Sequence, residues 1–70
     1  MSTDEKARMK ALLSYLVEHN REHSREVKDW AGKAADMGEA GLSDEMMQAA
    51  KAMDEANALL AKSLKKLEGA

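Results

Sequence analysis

Along both halves of this chain, seam positions recur in alternating steps of three and four, and a short segment bracketed by glycines separates the two runs. In the first half Leu13, Leu16, Asn20, His23, Val27, Trp30, Ala34 and Met37 keep these steps, and in the second Met46, Ala50, Met53, Asn57, Leu60, Leu64 and Leu67 do so. Such spacing holds one side of an α-helix toward a partner over many turns. The chain is therefore expected to be all-α, a two-helix antiparallel hairpin folded back about the segment from Gly38 to Gly41. Folding it there places His23 near Asn57, with Asn20 one turn further along, as a polar layer in an otherwise apolar seam. Trp30 falls opposite Ala50, a large residue against a small one, with Met53 filling the space nearby.

The spacing predicts one domain over 1–70, with a helix over 3–37, a turn over 38–42 and a helix over 43–68. Ser2 and Glu5 match the capping box that opens a helix, in which each side chain satisfies the other's backbone N–H. Gly38 and Gly41 each suit the left-handed conformation that ends one. Ser43 is the expected N-cap of the second helix, where Asp44 and Glu45 set negative charge on the positive dipole end. Leu42 and Met47 flank that cap at the spacing of a hydrophobic staple. Lys62, Lys65 and Lys66 gather in the last turns, where cations suit the opposite end of the dipole, and Gly69 is the stop.

Composition narrows the function classes. With no cysteine among its 70 residues, the chain has neither disulfides nor thiolate metal ligands, which is compatible with a reducing compartment. The N-terminal Met-Ser-Thr-Asp-Glu-Lys has no apolar signal region, and no run approaches the roughly 18 apolar residues of a membrane span, so a cytoplasmic protein without membrane contact is expected. Eleven basic and thirteen acidic residues are spread over both halves, and the aromatics are only Tyr15 and Trp30. Nucleic-acid binding would want a basic stripe with stacking partners, which is not found here. No cysteine nucleophile, phosphate-cradling glycine loop or Ser–His–acid spacing is visible, so the chain is not expected to be an enzyme.

Two helices share one seam, yet more apolar surface is present than one seam uses. Met9, Leu12, Tyr15 and Val17 flank the first, and Met47, Ala49, Leu59 and Ala61 flank the second. That breadth suits a bundle in which each helix touches two neighbours, most simply a homodimer forming a four-helix bundle. A helix of a partner protein docked on the same surface satisfies the pattern equally, and a small-molecule carrier using the Met and Trp region is a third reading.

Any chemistry is concentrated in Glu18-His19-Asn20-Arg21-Glu22-His23-Ser24-Arg25-Glu26. His19 and His23, four residues apart, project from one side of a helix about a turn apart, close enough to share a metal ion. Glu22 and Glu26 stand beside them as oxygen ligands or as acceptors for a ring N–H. A dimer would supply two more imidazoles by symmetry. The zincin pattern is broken by Asn20, and the Glu-x-x-His of di-iron bundles runs in reverse order here. Imidazoles without thiolate favour Zn, Ni, Co or Cu. The polar residues have a second use, fixing the register of the seam through hydrogen bonds alone. The remaining charges, Arg25 with Lys28 and Asp29, and Lys51 with Asp54 and Glu55, have the spacing of solvated intrahelical pairs.

Tyr15-Leu16-Val17-Glu18-His19-Asn20-Arg21-Glu22-His23, followed by Trp30-Ala31 and then Glu55-Ala56-Asn57-Ala58-Leu59-Leu60, resembles a family of small uncharacterised helical-hairpin proteins of anaerobic bacteria and archaea. Their shared pattern is an aromatic residue before a Glu-His-Asn-x-Glu-His core, a Trp-Ala pair, and a returning Ala-Asn pair. Tyr15 stands where many relatives have Trp, and this chain has extra glycines around the turn. The resemblance covers most of residues 12–64 and implies the hairpin fold without implying an activity.

Overall fold

The computed structural model describes residues 3–69 as two antiparallel helices, α1 (Thr3–Asp36) and α2 (Ala40–Gly69). At 1.5 Å per residue a helix the length of α1 spans about 50 Å, and the molecule measures 53 × 14 × 14 Å. Asp4 and Glu5 lie in the first turn of α1 and Lys33 in its last, each favourable to the helix dipole. The expected Ser2 to Glu5 capping box lies partly outside the described residues.

The reversal is tighter than the glycine spacing suggests. Gly38 adopts a left-handed φ of 84°, its N–H donates to the Ala35 carbonyl at 3.0 Å, and the Glu39 N–H donates to the Ala34 carbonyl at 2.9 Å. These two bonds form a Schellman motif, which satisfies carbonyls that the end of α1 would otherwise leave open. The chain then turns directly into α2, because the Glu39 carbonyl already accepts the Ser43 N–H at 3.0 Å. Glu39 rather than Ser43 is therefore the N-cap of α2, which begins at Ala40. Gly41 and Leu42 lie inside the helix, and α1 ends at Asp36 instead of 37. With Ser43 no longer the cap, the frame for a staple between Leu42 and Met47 is lost, and both side chains are exposed.

On α2 the seam follows the expected positions: Ala50 is buried, and Met46, Met53, Asn57, Leu60, Leu64 and Leu67 are half-buried. On α1 it is rotated by one residue at alternate positions. Leu13, Asn20, Val27 and Ala34 face inward as expected, but Val17, Ser24 and Ala31 join them, while His23, Trp30 and Met37 are exposed. Leu16 remains half-buried beside Val17. Ala31 and Ala50 are each 0% exposed, whereas Trp30 is 58% exposed with the Lys33 ammonium 4.0 Å from its ring centroid. Small side chains in the seam permit close interhelical approach, and helix separation depends on the residues at the contact. Trp30 or His23 between the helices would hold them apart and would need a buried hydrogen-bond partner for a ring N–H.

A thin core is the result. Among the described residues no large side chain is fully buried, while Met9, Leu12, Tyr15, Trp30, Met37, Leu42, Met47 and Leu59 are exposed. Among the described residues no helix is long and apolar enough to cross a membrane.

Candidate functional site

Halfway along the seam, polar side chains join the helices at two levels. At the first, Asn57 reaches from α2 to donate its Nδ2 hydrogen to the Val17 carbonyl at 2.9 Å, while its Oδ1 is buried without a partner. At the second, Asp54 is held from two sides. The Ser24 hydroxyl, in a residue 2% exposed, donates to Oδ1 at 2.5 Å, and the Lys28 ammonium donates to Oδ2 at 2.8 Å. Ser24 Oγ also lies 3.5 Å from the Ala50 carbonyl, but a hydroxyl has one proton and the carboxylate at the shorter distance takes it. Asn20 is half-buried in the seam at the same height along the bundle.

This layer differs in membership from the one expected. His23 does not meet Asn57; it is exposed, and Ser24 occupies the seam in its place. The shorter turn is one cause, because starting α2 at Ala40 moves the antiparallel register by about one turn and brings Asn57 to Val17. The rotation of α1 is the other. Lys28 and Asp54, spaced as members of solvated pairs within their own helices, instead bridge α1 and α2. Their spacing in sequence carries no sign of this, since the pairing depends on register.

The hydrogen bond from Lys28, followed by that from Ser24, holds the Asp54 carboxyl below its ordinary value of 3.8, outweighing the opposing effect of lost solvent. A carboxyl whose native value is lowered stabilises the fold when ionised. Its contribution is complete above 3.8 and is lost as pH falls through the lowered native value. Asp54→Asn is therefore expected to destabilise the hairpin at neutral pH and to lose part of its acid sensitivity. Thermal unfolding of both proteins at pH 7 and at about pH 3 reads this directly, and parallel pH profiles would refute it.

The histidines form a separate group on the outer side of α1. His19 Nε2 and His23 Nε2 are 2.9 Å apart, with ring centroids at 4.3 Å and planes near perpendicular at 88°. Tyr15 stacks on His19 from the preceding turn, at 5.1 Å and 15°. Three rings at successive four-residue steps thus make a ladder, and the two imidazoles end with their Nε2 atoms converged toward one point. At this distance one Nε2 donates to the other. Glu22 and Glu26 are exposed, and among the described residues no group of three or more His, Asp or Glu side chains is placed to hold a metal ion. The chain brings together the two imidazoles and does not bring the carboxylates to them. Met53 lies half-buried in the seam as a packing residue, and Trp30 lies outside it.

An elongated pair of antiparallel helices, joined by a polar layer and carrying a paired imidazole group outside the seam, defines the class: an all-α helical hairpin. Within that class the chain belongs to the family described as Domain of unknown function (DUF8180), whose model matches residues 9–67. The match takes in most of both helices, the turn, the polar layer and the histidine pair. Comparisons with curated proteins and with solved structures return no match.

Proposed function

We propose that the chain is a non-enzymatic, self-associating helical protein of the cytoplasm that binds a transition-metal ion through His19 and His23. The observation that carries this reading is the 2.9 Å approach of the two Nε2 atoms on an accessible side of α1. Two nitrogens bound to one ion at about 2.0–2.1 Å lie about 3 Å apart, so the rings need little movement to become adjacent ligands. Tyr15 restrains His19 by stacking, which reduces the freedom that binding would otherwise remove. Nitrogen donors without thiolate suit Zn, Ni, Co or Cu. Glu22 and Glu26 are available to orient the ring Nδ1–H groups through water.

Isothermal titration of chelator-treated protein with each of these ions tests the proposal. Saturable binding is expected in the wild type and its loss in His23→Ala. At one hundred times its Kd the ion should also raise stability by about 2.7 kcal/mol, a shift in Tm of about 10 °C or more for a chain of this length. Equal binding by wild type and variant, or none by either, would reject the assignment.

The exposed Leu12, Tyr15, Trp30 and Met37 favour a second reading, in which the chain is a metal-free module that docks on helices of another protein. That reading expects purified protein to remain monomeric and indifferent to chelators until its partner is added.

A further inference from the structure

We propose that a second copy of this chain packs antiparallel on the Leu12 to Trp30 side of α1, about a two-fold axis at the height of Arg21, so that four imidazoles surround one metal ion. The inference rests on the metal-binding reading above and gives it a stoichiometry, a ligand set and a geometry. One chain supplies two converged nitrogens and, among the described residues, no third His or carboxylate ligand beside them. A tetrahedral ion in a closed site takes four ligands. Two-fold symmetry converts the half-site into a whole one.

The spacing of the exposed apolar residues supports this axis. Leu12 and Trp30 lie equally far from Arg21, nine positions before it and nine after it. At about 100° per residue, both steps end on the same side of the helix as the midpoint between His19 and His23, while Arg21 points away from it. Leu12 is 55% exposed and Trp30 58%, so each is available to the other copy. An antiparallel partner on this axis sets each Leu12 against the other copy's Trp30, about 13 Å on either side of the metal, and sets His19 level with the other copy's His23. Within two turns of the axis the stripe sets no like charges against each other, since Glu26 falls level with Leu16, and Lys33 and the other copy's Arg8 come within one residue of each other only outside the Leu12 to Trp30 contact. The α2 seam lies about a quarter-turn around α1, so both contacts are made at once and the assembly is a four-helix bundle.

In such a site each imidazole presents Nε2 to the ion and carries its proton on Nδ1. The ion replaces the hydrogen bond now shared by the two rings, and the ring that had its proton on Nε2 shifts it to Nδ1 by exchange with solvent. No redox change is involved. Apolar contacts from Leu12 and Trp30 close the site on both flanks, and the ion acts as the fastener of the dimer.

Chelator-treated protein is titrated with Zn(II) while its mass in solution is followed by light scattering, and with Co(II) while its visible absorption is recorded. One ion per two chains, a dimer formed on addition, and the intense bands of tetrahedral Co(II) are expected. Because the chain has no native cysteine, register is read by disulfide formation between single-cysteine variants. With Zn(II) present, Leu12→Cys should crosslink to Trp30→Cys and not to itself. One ion bound per monomer overturns the shared site and leaves metal binding intact. Crosslinking of Leu12→Cys to itself means parallel packing and overturns the axis. If no ion binds, both this inference and the metal-binding reading fail.

Discussion

Ala50→Leu is expected to lower the stability of the hairpin by about 2–3 kcal/mol, the upper part of the range for overpacking a filled core. Ala50 is 0% exposed, as is Ala31, and added bulk at Ala50 would push the helices apart. Ser24 Oγ is 3.5 Å from the Ala50 carbonyl and donates to Asp54 at this level, so separation also strains the cross-helix hydrogen bonds. A domain of this length is typically stable by about 4–10 kcal/mol, and such a loss would be a large fraction of the total. Trp30→Ala makes the opposite comparison. In chelator-treated, dilute protein it should cost less than about 1 kcal/mol, because the ring is already mostly in water. Urea unfolding of the two variants decides between alternative seams. If Trp30 filled the seam, its truncation would cost about 3–5 kcal/mol and the order of the two effects would reverse.

Asn57→Leu is expected to raise stability by about 1 kcal/mol, an unusual direction for a seam substitution. The asparagine gains one hydrogen bond, from Nδ2 to the Val17 carbonyl, but leaves Oδ1 buried without a partner. A net hydrogen bond contributes about 0.5–1.5 kcal/mol, and an unmade one costs about 1–3 kcal/mol. The Val17 carbonyl lies within α1, where the helix supplies its own N–H, so it is not orphaned when the side chain changes. Leucine removes the unsatisfied oxygen and adds apolar burial beside Leu60 and Leu64. Specificity should suffer, because a polar seam residue disfavours registers that cannot satisfy it. Urea unfolding should therefore give a higher midpoint, accompanied by extra sets of amide resonances from alternative pairings. A lower midpoint would mean that Oδ1 is satisfied in solution.

Ala50 and Asn57 both lie on α2, where the seam was legible, but the seam of α1 was not. All seven expected seam positions on α2 face inward, because the stripe beside them is made largely of alanines, Ala49, Ala52 and Ala56, and offers less apolar area to bury than Met53, Leu60, Leu64 and Leu67. On α1 the stripe through Leu16, His23 and Trp30 and the stripe through Val17, Ser24 and Ala31 differ by one residue. Both continue Leu13, Asn20, Val27 and Ala34 in heptad steps. Hydrophobicity favours Trp30 over Ala31, and close packing favours the reverse. The histidine pair was visible through its four-residue spacing, which depends only on helix geometry. Lys28 and Asp54 were not visible as a pair, since no local periodicity joins residues on different helices.

The sequence alone determined two helices, their antiparallel return in the glycine-bracketed segment that starts at Gly38, the inward side of the second helix, and the juxtaposition of His19 with His23. All of these follow from interactions within a few turns of one helix or from the backbone freedom of one glycine. Only the tertiary structure decided which side of α1 enters the seam, where α2 begins, and that Ser24 and Lys28 rather than His23 meet the second helix. Those choices depend on how closely two helices can approach, and that distance is set by the side chains of both together.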